Sequence, residues 1–343
     1  MINHEECLPA GYEIAGFKLI EAISQGKQGI IYKATQINLN RSVTLKILYK
    51  HLASDKEFIK ALSVELRNAT ANPHPNVIQT YDTGCSEEGL LYHAMEYISG
   101  GSVEEYLSAN GKFPIEEALK YMIEVATVLE NGAQRQMIHG GIKPANLMMS
   151  DNGSAKLTDL GLIRLENKGT PGLTPLYAAP ELIKGVWKKG DYRADMYAMG
   201  ATLYEMLSGK APFFHEDYQV VMKMQLEKTA VPLIKKVKNI TPGISKLVDQ
   251  LLSKKASDRF ESWSQVKIAL RSVLENYTKK KPSRSSAAKA TSGPSGLKRM
   301  KSAAAKKSKN SGKKTRNQSP ELRKVKEKLK SNALKRRTLK KIG

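Results

Sequence analysis

The sequence predicts an α+β chain built as two lobes, a small one of β-strands with one main helix and a larger helical one, followed by a basic tail. Three observations predict it. Apolar, β-branched-rich runs crowd the stretch before Tyr97. Helical periodicity takes over after Gly100-Gly101. Nearly all the excess positive charge lies beyond Lys279. A sheet-rich lobe followed by helices implies two packed layers, with a cleft between them as the natural ligand site.

Four strands are expected first, over Phe17–Ser24, Ile30–Thr35, Val43–Leu48 and Leu90–Tyr97. A Gly-containing turn joins the first two. One helix is expected among them, over 55–71, where Phe58, Leu62 and Leu66 recur at helical spacing and Pro73 lies beyond the end. A hinge is placed near Glu96–Gly101. Helices are then expected over 102–110, 115–136, 193–208, 217–228, 243–253 and 264–277. These elements divide the chain into an extension over 1–11, a folded domain over 12–277 with lobes at about 12–97 and 98–277, and a tail over 278–343.

Of the 56 Lys and Arg and 33 Asp and Glu, 24 bases and two acids, Glu321 and Glu327, fall from Lys279 onward. Removing them from the totals leaves 32 bases and 31 acids on the first 278 residues. The net charge of +23 therefore concerns a partner of the tail, not the chemistry of the folded part. In the tail, Ser, Ala, Gly, Pro and Lys dominate and aromatics vanish, so it is expected to be disordered. Its last piece reads as a short basic amphipathic helix within 319–340. Ser319 and Pro320 form the start, and Leu322, Val325 and Leu329 form the apolar face.

With 41% apolar residues the domain can bury a sizeable core. Cys7 and Cys85 form neither a disulfide framework nor a metal-ligand spacing, which fits a reducing compartment. The segment Met1–Gly11 has early acids and no apolar centre, unlike a secretory signal. No run approaches the ~18 apolar residues of a membrane span. A cytoplasmic protein is expected, nucleoid-associated if the tail's partner is DNA.

Three motifs carry chemistry. Ser24-Gln25-Gly26-Lys27-Gln28-Gly29 sits between two expected strands. It is either a plain hairpin or a loop whose backbone N–H groups lie over phosphates, which glycine permits at close range. Lys46 ends an apolar strand; it is either a solvated strand-end charge or a cation for phosphate, with Glu65 as the acid to hold it. The third motif is Ile138-His139-Gly140-Gly141-Ile142-Lys143-Pro144-Ala145-Asn146, followed by Asp159-Leu160-Gly161, Ala179-Pro180-Glu181 and Asp195. Further phrases accompany it: His74-Pro75-Asn76-Val77, Met95-Glu96-Tyr97, Thr174-Pro175 and Ser208-Gly209.

In this order and spacing the motifs resemble the eukaryotic-type serine/threonine protein kinase family in its bacterial form, over about residues 12 to 275. The resemblance implies ATP and Mg²⁺ as cofactors and a protein client. It implies that Gly26 and Gly29 cover the phosphates and that Lys46 holds the α- and β-phosphates while paired with Glu65. Ile31, Thr44, Met95, Glu96, Ile98 and Met148 would line the adenine site. Asn146 and Asp159 would ligate Mg²⁺, Lys143 would neutralise the γ-phosphate, and Thr174 would line the substrate groove. His139, Asp195 and the Glu181–Arg259 pair would be scaffold.

The family's His-Arg-Asp reads His139-Gly140-Gly141 here. The aspartate accepts the proton of the substrate hydroxyl and aims it, roles worth roughly 10²–10⁴ in rate. Gly141 can do neither, so a pseudokinase is implied: a signalling or scaffold module tethered to a polyanion by its tail. Gly140 removes the arginine that binds an activation-loop phosphate, which puts control through Thr170 in doubt. Two other functions fit the sequence: a weakly active serine/threonine kinase, and a nucleic-acid-binding protein with a non-catalytic kinase fold. The tail's partner is read as nucleic acid, an acidic protein or ribosome surface, or an anionic membrane.

Overall fold

The computed structural model describes residues 7–26, 28–55, 59–60, 62–63, 73–135, 138–158, 174–186 and 191–280. Most of the helix expected over 55–71, including Glu65, lies outside them; residues 59–60 and 62–63 are helical. Asp159-Leu160-Gly161, Thr170 and the tail from 281, with its expected helix at 319–340, also lie outside the described residues.

The small lobe is a curled antiparallel sheet. Its strands are β1 (Glu13–Ile14), β2 (Phe17–Gln25), β3 (Gly29–Gln36), β4 (Arg41–Leu48), β5 (Thr80–Cys85) and β6 (Leu91–Glu96), in the order β1-β2-β3-β4-β6-β5. Alternation sorts the side chains. Ile30, Tyr32, Val43, Leu45, Ile47 and Ala94 enter one core with Phe17 and Leu19. Cys7, Leu8 and Tyr12 pack against this core, and the Leu8 N–H donates to Tyr32 Oη at 2.9 Å. Strand β5 was not foreseen: Thr-Tyr-Asp-Thr-Gly-Cys has no apolar run, because it is an edge strand with few buried side chains. A one-turn helix, α1 (Lys50–Ala53), follows β4.

The large lobe begins at α2 (Val103–Asn110), which starts where Ser102 and Glu105 form a reciprocal capping box. Then come α3 (Ile115–Ala133), the hairpin β7 (Leu147–Met149) and β8 (Ala155–Leu157), α4 (Pro180–Ile183), α5 (Arg193–Ser208), α6 (Tyr218–Glu227), α7 (Pro242–Leu251) and α8 (Trp263–Lys280). Asp217 caps α6 and Thr241 caps α7, each accepting from a first-turn N–H. Helix α5 is buried on nearly every side, with Tyr197, Leu203 and Tyr204 fully enclosed. A helix apolar all round belongs at the centre of its lobe, where it can serve as the post on which loops are hung. Among the described residues no helix is long and apolar enough to cross a membrane.

Candidate functional site

The roof of the cleft is set by strand register. Ile31 pairs with Lys46, Lys46 with His93, and Thr44 with Met95, so these side chains share the face opposite the core. Lys46 is buried and donates from Nζ to Gln28 Oε1 at 2.6 Å. Gly29 is needed where it stands: a Cβ there would lie 2.0 Å from the Ile47 carbonyl oxygen. The Gly26 N–H closes the hairpin onto Gly29 O at 2.9 Å.

The hinge follows β6. Met95 is buried, and the Glu96 N–H donates to Gln79 O at 2.8 Å. The Glu96 carboxylate takes a 2.8 Å ion pair from Lys156 on β8, tying the hinge to the large lobe. Ile98 is buried, and its N–H has no partner among the described residues. Below it, Met148 bridges to Ser102 across a short antiparallel contact.

The floor of the cleft is the segment 138–149. Asp195, in the first turn of α5, is buried and accepts the His139 N–H and the Gly140 N–H, each at 2.8 Å. The Gly141 N–H donates to His139 Nδ1 at 3.0 Å. That leaves the ring proton on Nε2, which faces the Thr158 carbonyl oxygen at 3.0 Å. Gly140 has φ +74, in the left-handed region, whereas Gly141 has no positive φ. Lys143 is extended and leads into the turn Pro144–Asn146. Asn146 is buried and donates from Nδ2 to Gly141 O at 2.8 Å, while its own carbonyl accepts the Thr158 N–H at 3.0 Å. The strand ahead of Asp159 is thus pinned to the loop from both His139 and Asn146. Position 141 sits inside this hydrogen-bonded unit and carries no side chain.

Thr174 opens the next described segment, and its carbonyl accepts the Tyr177 N–H at 3.0 Å. Gln225 of α6 is wholly buried; its Nε2 donates to Pro175 O and Leu176 O at 2.9 Å each, and its Oε1 accepts from Tyr197 Oη. Tyr177 Oη donates to Glu205 at 2.6 Å, and burial pushes both groups above their ordinary pKa values. Arg259, with a fully buried side chain, grips Glu181 through two bonds of 2.6 and 2.9 Å. Lys254 donates to Tyr197 Oη at 3.1 Å and lies over the Phe213 ring. Burial, with Arg259 nearby, pulls the Lys254 ammonium down to about 8.

The sequence reading missed Gln225, Glu205 and Lys254. Gln225 had a signal: it stands four residues after Val221, on the buried face of α6, where an apolar residue would be ordinary. A polar residue on an apolar stripe marks a buried amide with partners to satisfy.

A family model described as the protein kinase domain matches residues 17–270. A probable serine/threonine-protein kinase of Clostridium acetobutylicum is 28% identical over 267 residues, covering 76% of this chain and 40% of the relative. The serine/threonine-protein kinase PrkC of Bacillus subtilis is 28% identical over 272 residues, covering 77% and 42%. The chain thus spans about two fifths of the length of these curated relatives. Among solved structures, the PknI kinase domain of Mycobacterium tuberculosis superposes with a TM-score of 0.62 at 24% identity. That alignment covers 78% of this chain and 100% of that one, a likeness of fold.

Proposed function

The chain belongs to the protein kinase family, and from that premise we propose that it binds Mg-ATP between its lobes and acts as a pseudokinase. In this reading it is a nucleotide-dependent signalling or scaffold module whose basic tail tethers it to a polyanion. One observation carries the proposal. The catalytic loop keeps its hydrogen-bonded frame of Asp195, His139 and Asn146, yet residue 141 at its centre is glycine.

The donors present fit a magnesium nucleotide. Lys46 offers a buried ammonium to phosphate oxygens. Ile98, buried just after β6, is the expected hinge donor to adenine. Asn146 spends its amide nitrogen on Gly141 O, which leaves the amide oxygen to a hard cation. Asp159 is the second expected ligand and Lys143 the expected γ-phosphate contact. Bound Mg²⁺ would supply charge neutralisation to the phosphates. Gly26 and Gly29 would keep the loop close over them. Without a carboxylate at 141, nothing there accepts the hydroxyl proton or aims the hydroxyl, so phosphotransfer is reduced by roughly 10²–10⁴.

A weakly active serine/threonine kinase is the second reading. The relatives, named as serine/threonine-protein kinases, favour it. Transfer assays on the native chain beside Gly141→Asp separate the two. The pseudokinase reading expects the Asp variant to be faster by roughly two to four orders of magnitude. Equal rates would overturn it. Nucleotide binding is tested apart from activity, by thermal shift: the native chain rises in millimolar Mg-ATP and Lys46→Met stays flat. For the tail, a chain ending at Lys280 should lose salt-sensitive retention on immobilised DNA; retention unchanged by the cut rejects the tether.

A further inference from the structure

The contact between Gln28 and Lys46 is not part of the family pattern from which the site was read. Resting on the Mg-ATP reading, we propose that Gln28 gates the phosphate subsite: its side-chain amide occupies Lys46 in the nucleotide-free chain and is exchanged for a phosphate oxygen on binding.

The argument begins with burial. Lys46 is 9% exposed, so its ammonium needs acceptors from the protein. Gln28 supplies one at 2.6 Å, within the range of a charge-assisted bond. The contact is built rather than incidental. Gln28 O accepts the Tyr49 N–H at 2.9 Å, fixing the loop to the end of the strand that carries Lys46. Gln25 Nε2 donates to Tyr49 Oη at 2.8 Å, a second tie to the same residue. Gly29 lies so close to Ile47 O that no side chain fits, which presses the turn onto β4. These anchors deliver residue 28 toward Lys46, two residues before Leu48 in the paired strand.

The chemistry of the amide makes the contact displaceable. An amide oxygen accepts a hydrogen bond but brings no charge. It solvates the ammonium and adds no negative charge beyond that of Glu65, the expected partner, so the site still attracts a polyanion. A phosphate oxygen in the same place adds the charge term and wins the exchange. A carboxylate at position 28 would instead form an ion pair and compete with the nucleotide. Glutamine at the tip therefore holds the subsite closed and releases it to a triphosphate.

Three full-length chains test this: native, Gln28→Ala and Gln28→Glu, each checked for folding by circular dichroism. Without nucleotide, acetylation of Lys46 by an N-hydroxysuccinimide ester is followed by mass spectrometry. Gln28→Ala should label several-fold faster than native, and Gln28→Glu slower. Isothermal titration with Mg-ATP should give a Kd about tenfold lower for Gln28→Ala and higher for Gln28→Glu. Equal labelling with equal Kd values overturns the gate while leaving nucleotide binding intact. The expected labelling order with no binding by any chain overturns the Mg-ATP reading, and the gating role with it. Tighter binding by Gln28→Ala together with faster labelling establishes both.

Discussion

Asn146 donates from its side-chain nitrogen to the backbone carbonyl of Gly141 at 2.8 Å, so the residue expected to hold a cation also fixes the position where the base is missing. Because the acceptor is a main-chain oxygen, the bond survives any side chain placed at 141. Gly141 lacks the left-handed φ of Gly140, so an aspartate there meets no backbone strain of that kind. The frame is therefore ready for the side chain it lacks.

Asn146→Ala removes both the amide donor and the cation's oxygen. It should cost on the order of 1 kcal/mol of stability by leaving the part-buried Gly141 carbonyl unpaired. It should also abolish the Mg²⁺-dependent part of the nucleotide thermal shift. Urea unfolding with and without Mg-ATP reads both effects. A variant that kept the full Mg²⁺-dependent shift would remove Asn146 from the metal's ligands.

Arg259 has no exposed side-chain surface, and its two bonds to Glu181 are joined by others to the carbonyls of Ser253 and Arg193. Glu181→Ala leaves that guanidinium buried without its counter-charge. The expected loss is about 3–5 kcal/mol. Denaturant midpoints for the native chain and the variant measure it. A loss under about 1 kcal/mol would mean that the pair is solvated, in conflict with its burial.

The helices at 102–110, 193–208 and 217–228 were legible nearly to the residue because caps mark their ends: Ser102 with Glu105, Gly209 and Asp217. Strand β5 was not, since Thr80–Cys85 is an edge strand whose stability comes from backbone pairing with β6, which leaves no apolar pattern. The same division holds in the site. Asp195 and Asn146 were named through the resemblance of their motifs, and the structure adds the hydrogen bonds that tie Asp195 to His139 and Gly140 and Asn146 to Gly141. Gln28 against Lys46 was not legible, since it depends on how tightly the β2–β3 turn is pressed onto β4. Gln225 against Pro175 and Leu176 joins segments 49 and 50 residues apart, a distance no local pattern encodes.

Lys254 provides a pH test. Its folded value is about 8 against an ordinary 10.5, through burial first and the nearby Arg259 second. Between those values the unfolded chain holds a proton that the folded chain has released. Stability therefore rises with pH across that window, and below about 8 the cost of the buried ammonium is fully present. Lys254→Met carries no such cost. The melting temperature of the native chain minus that of the variant should grow from pH 7.5 to pH 10, a window on the order of the usual lysine shift. Parallel melting curves across that range would exclude the shift.

Gln225 is the joint between the helical core and the segment after Thr174. Its amide makes two donor bonds and one acceptor bond with no exposed surface, which leaves its polar atoms well satisfied. Gln225→Leu keeps most of the volume but leaves the part-buried carbonyls of Pro175 and Leu176 without their donor and the Tyr197 O–H without its acceptor, while the Tyr197 oxygen still accepts from Lys254. A loss on the order of 3 kcal/mol is expected, since each buried group left unpaired costs about 1–3 kcal/mol. Tyr197→Phe alone should cost less, and adding it to Gln225→Leu should recover part of the loss, because the O–H donor left without an acceptor is then gone. A double-mutant cycle by urea unfolding measures that coupling. Hydrogen exchange adds the local readout: the Tyr177 amide, bonded to Thr174 O, should exchange faster in Gln225→Leu while the His139 and Gly140 amides, held by Asp195, keep their protection. Equal acceleration at all three sites would make the substitution a general destabiliser rather than the release of one segment.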